Sequence, residues 1–112
     1  MASHRTQRTT EDIRRELADI MRSIKDPRVT GLLSIVKVDL SGDYSYCKVL
    51  ISSMEGLEAA KKAVEGLNSA AGYVRREIGL RIRMRRSPEF QFIADNGIEY
   101  SASINKMLGD IL

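Results

Sequence analysis

Along this chain apolar positions recur every three or four residues, then every second residue, then every three or four again. In "TTEDIRRELADIMRSIKDP", Ile13, Leu17, Ile20, Met21 and Ile24 make one stripe of an amphipathic helix. Thr9 or Thr10 suits its cap, with Glu11 and Asp12 in the first turn; a start nearer Ser3 also fits the pattern. Asp26 and Pro27 end the helix, because the residue before proline avoids the helical region. "LLSIVKVDL" then alternates, placing Leu32, Ser34, Val36, Val38 and Leu40 on one face of a strand. "SGD" is a turn signal, and "YSYCKVLIS" alternates again with Cys47, Val49 and Ile51 inward. The two strands read as an antiparallel hairpin.

From Leu57 the helical period returns through Ala60, Val64, Leu67, Ala71, Val74 and Ile78. The stripe runs through Gly66 and Gly72, although each glycine costs about 1 kcal/mol relative to alanine inside a helix. The segment is therefore one helix with a soft point or two helices sharing an apolar face, bending at Ala70, Ala71 and Gly72. Ala70 and Gly72 would let backbone or a ligand approach closely at that bend. A coiled coil also fits the spacing, but the segment is short and rich in small residues. In "LRIRMRRSPEFQFIAD", Leu80, Ile82 and Met84 alternate with Arg81, Arg83 and Arg85, which predicts a strand with an arginine face. Pro88 implies an edge position or a bulge. The tail carries Tyr100, Ile104, Met107, Leu108 and Ile111 near helical spacing, predicting a short C-terminal helix. No repeat or linker divides the 112 residues, so one domain is expected over residues 1–112.

Composition narrows the chemistry. Cys47 is the only cysteine and His4 the only histidine. No internal disulfide can form, and neither a metal cluster nor a nucleophile–histidine pair is expected. Cys47 reads as a small core residue, with a reactive thiol as the alternative. No run approaches the roughly 20 apolar residues of a membrane span, and "MASHRTQRTT" lacks a signal core, so a cytoplasmic protein is expected. The net charge is +3, and twelve of the eighteen basic residues are arginine. Six of them, Arg75, Arg76, Arg81, Arg83, Arg85 and Arg86, fall between Ala70 and Phe90, opposed only by Glu77 and Glu89. Arginine's planar fork matches phosphate oxygens, so the concentration points towards nucleic acid. Same-face residues on a strand lie roughly 6.5–7 Å apart, of the order of phosphate spacing. An edge strand protected by charge accounts for the same arginines.

The predicted order, α-β-β-α-α-β, matches the KH fold in its type II arrangement: an α+β domain whose three-stranded sheet is covered by helices on one face, with a kinked helix pair. KH domains clamp nucleic acid with a GXXG loop between two helices, whereas this chain has Ala70, Ala71 and Gly72 there. In this it resembles the ribosome-binding factor A family. "IRRELADIM" with "KDPR" is similar to the family's first helix and its ending. "VKVDLSGDYSYCKVLIS" is similar to its hairpin, with Cys47 where the family often has alanine. "GYVRREIGLRIRMRRSPEFQFIAD" is similar to its G-x-[IV]-R and L-R-x-x-P-E-[LF]-x-F patterns. The resemblance implies a non-enzymatic maturation factor without a cofactor. It would bind the immature 30S subunit and its 16S rRNA, support late assembly and 5′-end processing, and matter most in the cold. Nuclease and GTPase steps would belong to other factors, one an assembly GTPase partner. A monomer is the simplest reading.

The expected phosphate contacts are Arg75 and Arg76 just beyond the kink, then Arg81, Arg83, Arg85 and Arg86, then Arg8, Arg15, Arg22, Lys25 and Arg28, with Lys61 and Lys62 last. Arg8, Arg15 and Arg22 fall seven apart, so a solvated helix face explains them equally. Two other functions fit the residues: a stand-alone KH-like domain for single-stranded RNA, and a protein-interaction module for an acidic partner. The 5% aromatic content and absence of tryptophan weigh against an RRM-type stacking sheet.

Overall fold

The computed structural model describes residues 4–84 and 86–95. Its elements are α1 (His4–Ser23), β1 (Leu33–Leu40), β2 (Tyr46–Ser53), α2 (Leu57–Ser69), α3 (Ala71–Arg81) and β3 (Glu89–Ala94). The order is the expected α-β-β-α-α-β. Arg85 and the expected C-terminal helix lie outside the described residues.

The apolar stripe of α1 is buried at Ile13, Leu17, Ile20 and Met21. The helix starts earlier than Thr9 and Thr10, so neither caps it, and Glu11 and Asp12 fall beyond its first turn. It also stops three residues before Asp26. There the Ser23 hydroxyl donates to the Ile20 carbonyl at 2.7 Å, competing with the next helical turn. Asp26 and Pro27 open the following turn instead. The Val29 amide bonds the Asp26 carbonyl at 2.9 Å, and the Asp26 carboxylate accepts from the Arg28 amide at 2.8 Å.

The sheet has the order β1-β2-β3. β1 and β2 are antiparallel, as the hairpin pattern predicts, and β2 and β3 are parallel. The registers align Leu40, Cys47 and Phe90 in one row and Val38, Val49 and Phe92 in the next. These six side chains are buried and form the sheet's half of the core. Ala60, Ala63 and Leu67 of α2 and Val74 and Ile78 of α3, buried with them, supply part of the other half. On the opposite sheet face Tyr46, Lys48, Glu89 and Gln91 are exposed, so the described helices cover one face only.

The phase expected for β1 holds only in part. Val38 and Leu40 point inward, but Val36 and Leu32 are exposed, while Leu33 and Ile35 pack on the core. A register shift between Ile35 and Lys37 causes this. One extra residue in a strand exchanges its faces, so the inward set moves from odd to even numbers.

β3 begins later than the alternation suggests. α3 continues through Arg81, and the Ile82 amide still bonds the Ile78 carbonyl at 2.9 Å. The ladder to β2 starts only at Glu89, whose amide bonds the Ser45 carbonyl at 2.9 Å. Ile82 lies four residues beyond Ile78, so the helical stripe and the period of two overlap over residues 78–82. The helix, already nucleated on a buried face, takes them. Pro88 comes just before the edge strand, where its missing amide costs no ladder bond.

Candidate nucleic-acid interface

The helix pair bends at a single residue. Ala70 has φ −96° and ψ 10°, between α2 and α3. Its amide reaches the Gly66 and Leu67 carbonyls, each at 3.1 Å, and its carbonyl accepts from the Val74 amide at 3.0 Å. Hydrogen bonding thus passes through the bend without a loop, as expected of a kink in place of GXXG. The two glycines have different roles. A Cβ on Gly66 would come within 2.7 Å of Val29 Cγ2 and 3.2 Å of Arg28 Cβ, so the 26–29 turn packs directly on the helix backbone. A Cβ on Gly72 would meet nothing within 4 Å. Among the described residues no approach requires Gly72, and its small size leaves that side of the bend open. Beside the bend lies a cleft of about 380 Å³ lined by Lys25, Ser69, Ala70 and Tyr73, among others. The Tyr73 and Ser23 hydroxyls pair across it at 2.9 Å.

Arg75 follows one turn on and is engaged within the chain. Its Nε donates to the Ser87 carbonyl at 3.1 Å, and the Ser87 hydroxyl donates back to the Arg75 carbonyl at 2.7 Å. Its Nη1 also lies 3.8 Å from Glu89 Oε1. This reciprocal pair ties Ser87, just ahead of β3, to α3. Arg76, Arg83 and Arg86 are exposed, and no hydrogen bond or ion pair occupies them among the described residues. The expected arginine face of a strand therefore becomes an arginine-bearing loop beside a helix.

Arg81 turns the other way. It meets Asp19 of α1 at 2.5 Å and Glu77 at 3.5 Å. Its hydrogen bond and charge hold the Asp19 carboxyl below the usual carboxylate range. Arg28 is likewise paired, at 2.8 Å from Asp26 Oδ2 and 3.1 Å from Ser69 Oγ. Through that hydrogen bond it draws the Asp26 pKa down to about 2. Both cations are largely neutralised where they stand.

The remaining basic residues scatter. Arg8 is exposed on α1, Arg15 faces Asp12 at 3.5 Å, and Lys61 faces Glu58 at 3.6 Å. Lys62 lines a separate recess with Pro27 and Thr30. Arg22 lines a groove between α1 and β1. The Asp19–Arg81 and Ser23–Tyr73 contacts bind α1 to α3, so that groove lies along another side of α1. The structure thus brings Arg76, Arg83 and Arg86 near the latch at Arg75, with Lys25 at the bend, and leaves the outer arginines of α1 apart from them.

Two polar residues escaped sequence reasoning. Asn68 uses both ends of its amide: Nδ2 donates to the Phe92 carbonyl at 3.0 Å, and Oδ1 accepts from the Phe92 amide at 2.8 Å. Arg14 donates to the Ile35 carbonyl at 2.7 Å. Asn68 falls between Lys61 and Arg75 at seven-residue spacing, which marks only a polar helix face; each contact is identified only by what the fold places opposite it. Among the described residues no group of three or more histidine, cysteine or carboxylate side chains could hold a metal ion. None of their helices is long and apolar enough to cross a membrane.

Comparison with known proteins gives a consistent result. The family model described as ribosome-binding factor A matches residues 5–108. The ribosome-binding factor A of Acetivibrio thermocellus is 44% identical over 107 residues, covering 95% of this chain and 87% of the relative. The crystal structure of ribosome-binding factor A from Thermus thermophilus aligns with a TM-score of 0.67 at 28% identity, over 79% of this chain and 93% of that one. A homology model of the Thermus thermophilus factor, fitted into a cryo-electron microscopy map of its complex with the 30S subunit, aligns at 0.63 and 29% identity, over 76% and 89%.

Proposed function

Since the chain belongs to the ribosome-binding factor A family, we propose that it binds the immature small ribosomal subunit through its 16S rRNA. In this reading it assists late assembly and 5′-end processing in the cytoplasm, most critically in the cold. It does so as a non-enzymatic factor, while nuclease and GTPase steps belong to partner proteins. The observation that carries the RNA contact is the set of arginines Arg76, Arg83 and Arg86, unpaired among the described residues, beside a bend that those residues leave open at Gly72. Lys25 extends the set at the bend. Arg75 positions the loop that carries Arg83 and Arg86. The other expected cations, Arg8, Arg15, Arg22, Arg28, Arg81, Lys61 and Lys62, contribute long-range attraction more than direct contacts. Phosphate contacts of this kind fix position without reading bases, so specificity comes from the shape of the subunit.

The test is binding to purified precursor subunits across a salt series. Arg76→Ala, Arg83→Ala and Arg86→Ala each remove one phosphate contact, and each is expected to flatten the slope of log affinity against log salt by roughly 0.7–0.9. Wild-type affinity and slope in all three would show that the patch is solvated surface. A general single-stranded RNA binder would hold short oligonucleotides as tightly as the subunit. The uninterrupted bend, which lacks a clamp loop, favours the subunit.

A further inference from the structure

β1 pairs only with β2 among the described residues, so its other side is a sheet edge. α1 runs alongside, and between them lies a groove of about 520 Å³. Its floor is aliphatic, with Met21, Ile24, Leu33 and Ile35 among the lining residues, and Arg14 and Arg22 stand at its sides. Among the described residues no carboxylate lines it, although the Glu55 carboxylate stands against Gly31, one of the lining residues. Arg14 occupies one carbonyl of the edge, that of Ile35. The register shift after Ile35 bends the strand at the end of the groove.

We infer that this groove is a docking site for an extended, acidic segment of another protein, added to the β1 edge. A helix beside an open strand edge suits an added strand. Main-chain bonds supply affinity, and alternate side chains enter the floor. On that same helix-facing side, acidic side chains at the ends of the run meet Arg14 and Arg22, which select carboxylates. Arg14 leaves the Ile35 carbonyl to meet them and frees that acceptor for the incoming amide. RNA fits less well, because the lining offers no aromatic ring on which a base can stack. The site is independent of the arginines at the bend.

The test uses the full chain and amide NMR titration with three probes: an end-blocked octapeptide whose alternate, groove-facing positions run glutamate, valine, valine, glutamate with serine between them, its counterpart with lysine for glutamate, and an octamer of uridine. The acidic peptide is expected to shift amides of Arg14, Ala18 and residues 33–35, and to bind at least tenfold more tightly than the basic one. Ala18 is exposed in α1 and lines the groove, so Ala18→Trp fills the groove without disturbing the core. That variant, and the Arg14→Ala/Arg22→Ala pair, should each weaken binding at least tenfold while the melting temperature stays within a few degrees. Absence of binding, equal binding of the basic peptide, or shifts confined to the Arg76 face would overturn the proposal. So would occupation of the groove by the uridine octamer in place of the peptide.

Discussion

The sheet has two outer edges, and the chain treats them differently. At β3, Asn68 matches both backbone groups of Phe92 with one amide side chain, as a neighbouring strand would. Arg75 and Ser87 hold the entry to the same strand by a reciprocal pair of bonds. At β1, one arginine on an exposed helix face touches one carbonyl, and a bulge follows. A strand edge invites pairing with other chains. One edge here is closed from within, and the other is only lightly guarded. The proposed RNA face lies near the closed edge, where three arginines without a partner among the described residues need a fixed loop. The open edge has room for a partner.

The strongest way to break this contrast is Asn68→Ala. It leaves the Phe92 amide and carbonyl without their partners, and a loss of about 1–3 kcal/mol is expected from urea denaturation. Ser87→Ala removes one neutral bond of the loop latch and should cost about 0.5–1.5 kcal/mol. It should also weaken subunit binding, because Arg83 and Arg86 lose their platform. Acid sharpens the comparison locally. The Asp43 carboxylate at the β1–β2 turn accepts bonds from Ser45 and Ser41, which draw its pKa from 3.8 down to about 2. A depressed carboxyl stabilises the fold above its unfolded pKa, and that support fades as the pH falls through the folded value. Between pH 4 and pH 2, hydrogen-exchange protection should therefore fall beside the turn in β1 and β2, with Phe92 in β3 least affected. The smallest effect belongs to Arg14→Ala: within about 0.5 kcal/mol of wild type, as for other exposed side chains. A large loss there would mean that the β1 edge is closed after all.

Much of this was legible beforehand where a pattern repeats on a buried surface. Cys47, Val49 and Ile51 alternate inward as the sequence indicates, and the stripe of α1 is buried as spaced. The bend at Ala70 follows from the persistence of that spacing across small residues. What was not legible has local causes. The bulge at residues 35–37 inserts one residue that no alternation reveals, so half of β1 faced the wrong way. The run at residues 80–84 satisfied two periods at once, and the helix extended into it. Among the site residues, Arg75 and Arg81 looked like free cations because their partners, Ser87 and Asp19, are remote in the chain, whereas the Arg28 partner, Asp26, stands two residues away and is brought to it by the turn. Sequence spacing shows where charge concentrates; only the fold shows which charges are already matched.

The central strand also carries the chain's single thiol. Cys47 is fully buried, and desolvation raises its pKa to about 12, so at neutral pH the folded molecule offers almost no thiolate to an alkylating reagent. Labelling must wait until the helices lift from the sheet or β2 separates from its neighbours. With no second cysteine to react, each modified molecule records one such opening. The protein contains its own chemical clock, and counting alkylated chains over time, without denaturant, would measure how often the core over the middle of the sheet opens.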